Sequence, residues 1–114
     1  MNYTVSEEYN CIIFTFKGKM MGGPAAQELH DKIKSLIEKN KTNVIADLSR
    51  VNFMNSSGIG ILIAALTSLR NAGGNLKLCG ASDRIESILV VTKLITVFEH
   101  YKSIKEAVDS YQTN

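Results

Sequence analysis

Two adjacent serines, Ser56 and Ser57, stand between the strand-like run Val44-Ile45-Ala46-Asp47-Leu48 and a long apolar stretch that begins Gly58-Ile59-Gly60. That position puts hydroxyls where a helix starts. The first turn of a helix has backbone amides without intrahelical partners and carries the positive end of the helix dipole, so an anion is stabilised there. Gly58 and Gly60 each cost about 1 kcal/mol of helix stability relative to alanine. The compensating gain is access, because glycine lets another backbone, a phosphate or a catalytic group come close. One serine suffices as a helix cap, a role worth about 1 kcal/mol. The reading adopted is Ser57 as the cap and Ser56 as the reactive hydroxyl.

A serine nucleophile needs a base within hydrogen-bond reach. The candidates are His30, beside Leu29, and His100, after the segment Val97-Phe98-Glu99. Both read as surface or boundary histidines, and Ser56 lacks the Gly-x-Ser-x-Gly frame of an α/β hydrolase. The expectation is that the chain is not an enzyme. Asp47 reads as a structural carboxylate that accepts amide hydrogens from the residues after its strand. Arg50, in the loop expected between strand and serines, is a surface charge able to meet an acidic partner or a phosphate. Lys32, Lys34, Lys39, Asn40 and Lys41 read as solvated. Cys11 and Cys79 have no metal-binding or redox spacing, and both are expected to be buried, inert thiols. No metal site or cofactor is expected.

The chain around these residues has 114 positions, 45% of them hydrophobic, enough for one domain with a core that needs neither disulfide nor metal. Its formal net charge of +2, with acids and bases interspersed, gives no basic stripe for nucleic acid. The N-terminus reads as neither signal nor transit peptide, and no apolar run is long enough to span a bilayer. A cytoplasmic location is the expected default.

Alternation of Ile12, Phe14 and Phe16 against Cys11, Ile13 and Thr15 predicts a strand, paired through the polar link Glu7 to Asn10 with a strand at Tyr3 to Ser6. Gly22-Gly23-Pro24 breaks the chain and opens a helix carrying Leu29, Ile33, Leu36 and Ile37, ending near Asn40. Val44 to Leu48 reads as a central strand buried on both faces. A helix follows from Ser57 to Ala72 with Ile59, Leu62, Ile63, Leu66 and Leu69 on its inner side, stopped by Gly73-Gly74. Asn75 to Cys79 is another strand. Asp83 and Glu86 are read as caps of a short helix with Ile85, Ile88 and Leu89 inward, and Thr96 to Phe98 as a brief strand. Ser103 and Glu106 have the capping-box spacing before a final helix with Ile104, Val108 and Tyr111 on its inner face. The result is an α/β fold with a mixed sheet of four to five strands and about four helices. Functional sites in such sheets lie beyond the carboxyl ends of the parallel strands, where the serine pair falls.

Asp47-Leu-Ser49 followed by Val51, Phe53-Met54 and Ser56-Ser57-Gly58-Ile59-Gly60 resembles the signature of STAS domains, the group that contains bacterial anti-sigma-factor antagonists. The likeness extends to Gly18, to Asn71-Ala72-Gly73-Gly74, and to Val97-Phe98-Glu99 with Ser103 and Glu106-Ala107. It implies a single STAS domain over residues 1–114. It also implies that Ser56 is the residue phosphorylated by an anti-sigma factor that is a serine kinase, with a phosphatase to reverse it. The unmodified chain would bind the anti-sigma factor and the phosphorylated chain would let go. Two positions depart from the pattern, since the aspartates often found there are replaced by Asn55 and, in the preceding loop, by Met21. Asn55, Ser57, Gly58, Ile59, Gly60, Met21 and Met54 are the expected partner-binding or phosphate-loop residues. Met20, Met21 and Met54 are read as an adaptable apolar docking surface. Other STAS domains serve as accessory or ligand-sensing parts of transport and signalling complexes, and that is the alternative function.

Overall fold

The computed structural model describes residues 2–112. Its first two strands, β1 (Asn2–Glu8) and β2 (Cys11–Met20), run antiparallel with Val5 opposite Phe14 and Glu8 opposite Cys11. Only Tyr9 and Asn10 form the turn, both left-handed with φ of 48° and 65°, the geometry whose twist matches a tight hairpin. The expected four-residue link is therefore half as long, because Glu7 and Glu8 still pair.

The chain continues through α1 (Pro24–Glu38), β3 (Asn43–Met54), α2 (Ser56–Asn71), β4 (Asn75–Cys79), α3 (Asp83–Val91), β5 (His100–Tyr101) and α4 (Ile104–Gln112). The strands lie in the order β1-β2-β3-β4-β5, and every pair after the first is parallel. This is the mixed five-stranded sheet with four helices that the pattern called for.

Period-two alternation divides the sheet into two faces. Ile12, Phe14, Phe16, Val44, Ala46, Leu48, Leu76 and Leu78 pack against Leu29, Ile33 and Leu36 of α1, Leu62, Leu66 and Leu69 of α2, and Ile85 and Leu89 of α3. Full burial of each such side chain contributes roughly 1.5–3 kcal/mol. On the reverse face Cys11, Ile13, Ile45 and Cys79 meet Ala107 and Val108 of α4, with Ile104 and Tyr111 half-buried beside them. Both cysteines are free and fully buried, and burial, with Asp47 nearby, pushes the Cys79 thiol up to about 12.

Three expectations change. β3 does not end at Leu48 but runs on to Met54, so Arg50 is an exposed strand residue and not a loop residue. Two register shifts against β2 bring Val51 and then Met54 back to the buried face at intervals of three, which hides the strand from a period-two reading. The segment Thr96 to Phe98 is no strand. Lys93 turns left-handed at φ 63°, a 3₁₀ turn covers Leu94–Thr96, and Phe98 donates its N–H to Leu94 O at 3.0 Å while its ring enters the core. Strand pairing comes later, at His100–Tyr101. Finally, α3 is capped by neither Asp83 nor Glu86, because Ser82 Oγ accepts the Ile85 N–H at 3.3 Å. At α4 half of the capping box forms as spaced, with Ser103 Oγ accepting from Glu106 N at 3.1 Å; Glu106 Oε2 reaches one residue further back and accepts from Lys102 N, also at 3.1 Å.

Candidate functional site

β2 and β3 finish side by side, with Met20 opposite Met54. Asn55 N–H then donates to Met20 O at 3.3 Å, and the chain turns into α2. The cap of that helix is Asn55. Its backbone is extended, its side-chain Oδ1 accepts from Gly58 N at 2.9 Å, and its carbonyl accepts from Ile59 N at 3.0 Å. Ser57 is thus not the cap. Ser56 and Ser57 occupy the first two helical positions, both exposed, and neither hydroxyl has a hydrogen-bond partner among the described residues. Their two backbone N–H groups are the ones that helix geometry leaves free.

Gly58 explains why the cap falls two residues earlier, at Asn55 and not Ser57. A Cβ at Gly58 would lie 1.9 Å from the Met20 carbonyl oxygen, so only glycine lets the helix start this close to the end of β2. What the glycine admits is another stretch of backbone. Gly22, at φ 82°, brings the loop before α1 against Ser57, where an added Cβ would meet Ser57 Cβ at 3.0 Å. Ser57 is therefore overhung on one side by this loop. It also borders a groove of about 360 Å³ between α1 and α2, lined mainly by Leu29, Ile33, Ile61 and Ala64, with His30 and Gly60 at its margin.

The three methionines do not form one surface. Met20 is fully buried and Met54 nearly so, both inside the main core, while Met21 alone is exposed at 47%. Met54, expected among the partner-binding residues, is therefore not available to a partner. The bulged register of β3 turns it inward instead.

Asp47 is buried, and its Oδ1 accepts from Ser49 N at 3.0 Å at the first bulge of β3, with the Gly80 backbone packed beside it. Neither histidine serves the serines. His100 Nε2 accepts the Ala81 N–H at 3.3 Å, and His30 makes no hydrogen bond to Ser56 or Ser57. Among the described residues no cluster of His, Cys, Asp or Glu could hold a metal ion, and no helix is long and apolar enough to cross a membrane.

The electrostatics are one-sided. Residues 9–27 and 48–82 contain no Asp or Glu, so the β2 and β3 ends and the whole of α2 carry no carboxylate. Lys17 lies opposite Arg50, and Lys19 opposite Phe53, with all three cations exposed and without an ion pair among the described residues. Sequence reading singled out Arg50 but missed Lys17 and Lys19. Their signal was the break in alternation after Phe16, which prolongs β2 past its apolar run.

The STAS domain model matches residues 2–107. The chain belongs to the STAS domain family. BtrV of Bordetella bronchiseptica, a candidate anti-sigma factor antagonist, is 20% identical over 113 residues, 99% of this STAS chain and 97% of its own. The anti-sigma-B factor antagonist of Listeria monocytogenes is 38% identical over 53 residues, 46% of each protein. Among solved structures, the anti-sigma factor antagonist SpoIIAA in its unphosphorylated form superposes with a TM-score of 0.75 at 19% identity, covering 99% of this chain and 100% of that one. The phosphorylated form from Bacillus gives 0.75 at 20% identity, covering 96% and 99%. The fold of this chain is shared with both solved structures.

Proposed function

We propose that this chain is an anti-sigma-factor antagonist whose binding is switched at Ser56. A kinase-type anti-sigma factor phosphorylates that serine and a phosphatase resets it. The observation that carries the reading is the free, exposed Ser56 hydroxyl at the first position of α2, beside two unused helix amides. Support comes from relatives that are named anti-sigma factor antagonists and from a structural neighbour solved in both phosphorylation states.

In the transfer, Ser56 Oγ forms a bond to the γ-phosphorus of ATP held by the kinase. The bond from that phosphorus to the ADP oxygen breaks, and the hydroxyl proton passes to a base of the kinase. The product carries about −1.5 to −2 charge in place of a neutral hydroxyl. Ser56 and Ser57 amides and the helix dipole stabilise that charge within the chain, so the domain keeps its fold. Release of the partner then follows from steric and charge mismatch at the docking face. Ser56 is favoured over Ser57 because the Gly22 loop overhangs Ser57.

Asn55 stands where the antagonist pattern often has aspartate: it keeps the cap bond to Gly58 and supplies no carboxylate for a kinase to read. The chain acts as substrate and binding partner, not as an enzyme, and works in the cytoplasm where sigma factors act. Isothermal titration with the kinase-type anti-sigma factor of its own genome tests the switch. Ser56→Asp should bind at least tenfold more weakly than Ser56→Ala, a difference of about 1.4 kcal/mol. Equal affinities would remove the charge switch. The apolar groove beside Ser57 favours one second reading, a ligand-sensing STAS module. Its mark would be a small apolar ligand that shifts the NMR signals of His30 and Ile61.

A further inference from the structure

The two edges of the sheet are finished differently. β5 is two residues long, a length that offers almost nothing to a further strand, whereas β1 has seven residues, Asn2–Glu8, with no proline, no lysine and no register shift. Those missing features, together with shortness, are among the devices that keep an edge from pairing; charge is another, and in β1 it is confined to Glu7 and Glu8 at one end. Among the described residues β2 is the one neighbour of β1, so the outer edge of β1 is unpaired there.

The register says which groups that edge presents. A tight two-residue turn closes on a hydrogen-bonded pair, here Glu8 with Cys11, and such pairs alternate along an antiparallel ladder. Asn2, Thr4, Ser6 and Glu8 therefore bond inward to β2. Tyr3, Val5 and Glu7 direct their N–H and C=O groups outward.

We propose that β1 pairs with β1 of a second copy of this chain, antiparallel about a two-fold axis at Val5, so that two five-stranded sheets join edge to edge. This register uses the full length of the strand. Val5 lies opposite Val5, Tyr3 opposite Glu7, Thr4 opposite Ser6 and Asn2 opposite Glu8. No carboxylate faces another, the exposed Val5 side chains meet across the axis, and about six backbone hydrogen bonds form from the outward groups. Sliding one strand by four residues toward the Glu8 end would instead set Glu7 against Glu7, a like-charge pair that disfavours that register. The second copy is thus an occupant that this edge accepts along its full length, with no carboxylate set against another and the two exposed Val5 side chains in contact. None of Asn55 to Gly60 lies on β1, so a dimer formed this way does not use the serine loop.

Sedimentation equilibrium of the purified chain from micromolar to millimolar concentration tests the pairing. A reversible monomer–dimer equilibrium is expected. Val5→Pro removes an outward N–H without removing a bond to β2, and Val5→Lys puts two like charges across the axis. Both variants should sediment as monomers with the far-ultraviolet circular dichroism of the wild type. In the double variant Thr4→Cys, Ser6→Cys, the facing non-hydrogen-bonded pairs have Cα atoms about 4.5 Å apart, within disulfide reach. Oxidation should give a covalent dimer, and adding Val5→Pro should abolish it. A wild-type chain monomeric throughout, a dimer that survives both Val5 substitutions, or absence of the cross-link would overturn the proposal.

Discussion

The sheet is held by a network of side chains at the end where its parallel strands begin and, beside the serines, by one side-chain cap and close backbone contacts. At the first end the Tyr111 hydroxyl lies 2.7 Å from Val44 O and 2.9 Å from Asn75 O, its proton shared between two strands. Lys77 Nζ sits 4.1 Å above the Tyr111 ring and donates to Ser110 Oγ at 2.9 Å, which in turn donates to Ala107 O at 2.6 Å. Glu99 accepts from Tyr101 at 2.8 Å and from Asn75 Nδ2 at 3.1 Å, while Arg70 of α2 donates to Val97 O at 3.0 Å. At the serine end the ties are Asn55 N–H on Met20 O, the Asn55 cap and the fit of Gly58 beneath Met20. No ion pair of the described residues reaches it. The difference teaches how a charge can arrive at Ser56 without unfolding the domain, because no internal polar network there has to break.

Substitutions at the two ends should separate these kinds of tie. The largest effect belongs to Gly58→Ala, which forces a methyl group into the Met20 carbonyl and should cost about 3 kcal/mol by urea denaturation. A loss below about 1 kcal/mol would mean that the start of α2 can shift freely. Next is Tyr111→Phe, which leaves two strand carbonyls without their donor and should cost about 2 kcal/mol.

Tyr111 also governs behaviour in alkali. Burial raises its pKa from the ordinary 10.0, so above pH 10 the unfolded chain gives up a proton that the folded chain keeps. Stability tied to this residue is fully present below pH 10 and falls as pH rises further. Cys79 acts the same way from pH 9 toward about 12. Tyr111→Phe should therefore show a shallower loss of stability above pH 10, and an identical slope would show that the hydroxyl ionises equally well in both states.

Asn55→Ala should cost about 1 kcal/mol, the worth of a helix cap, whereas Asn55→Asp keeps the acceptor and should stay within about 0.5 kcal/mol of wild type. The smallest stability change is expected for Ser56→Asp, within about 0.5 kcal/mol, since the hydroxyl has no internal partner and helix amides favour the carboxylate. A thermal melt shifted far beyond that would place Ser56 among the structural residues of this end.

Sequence pattern made the anchored end easier to read than the serine end. The inward faces of α1, α4 and, apart from the exposed Ile63, α2 follow 3.6-residue spacing, β2 and β4 alternate, and Ser103 caps α4 through Glu106 N where its spacing says. Around the serines the rules had no single answer. Asn55, Ser56 and Ser57 are all good cap residues, and the choice among them rests on the approach of Gly58 to Met20, a contact between segments far apart in sequence. The same limit applies to β3, where bulges replace alternation with steps of three and turn Met54 inward. Thr96 to Phe98, with β-branched Thr96 and Val97 before an aromatic, reads as strand by propensity, yet Leu94 and Phe98 are buried together across a tight turn there.

The central claim is that Ser56 is the acceptor of a regulatory phosphate. Its most direct test is phosphopeptide mass spectrometry after incubating the chain with the kinase-type anti-sigma factor of its own genome and ATP. The account predicts one phosphate, on Ser56, in the wild-type chain and none in Ser56→Ala. An unlabelled wild type, or a Ser56→Ala chain labelled as strongly as wild type, would contradict it.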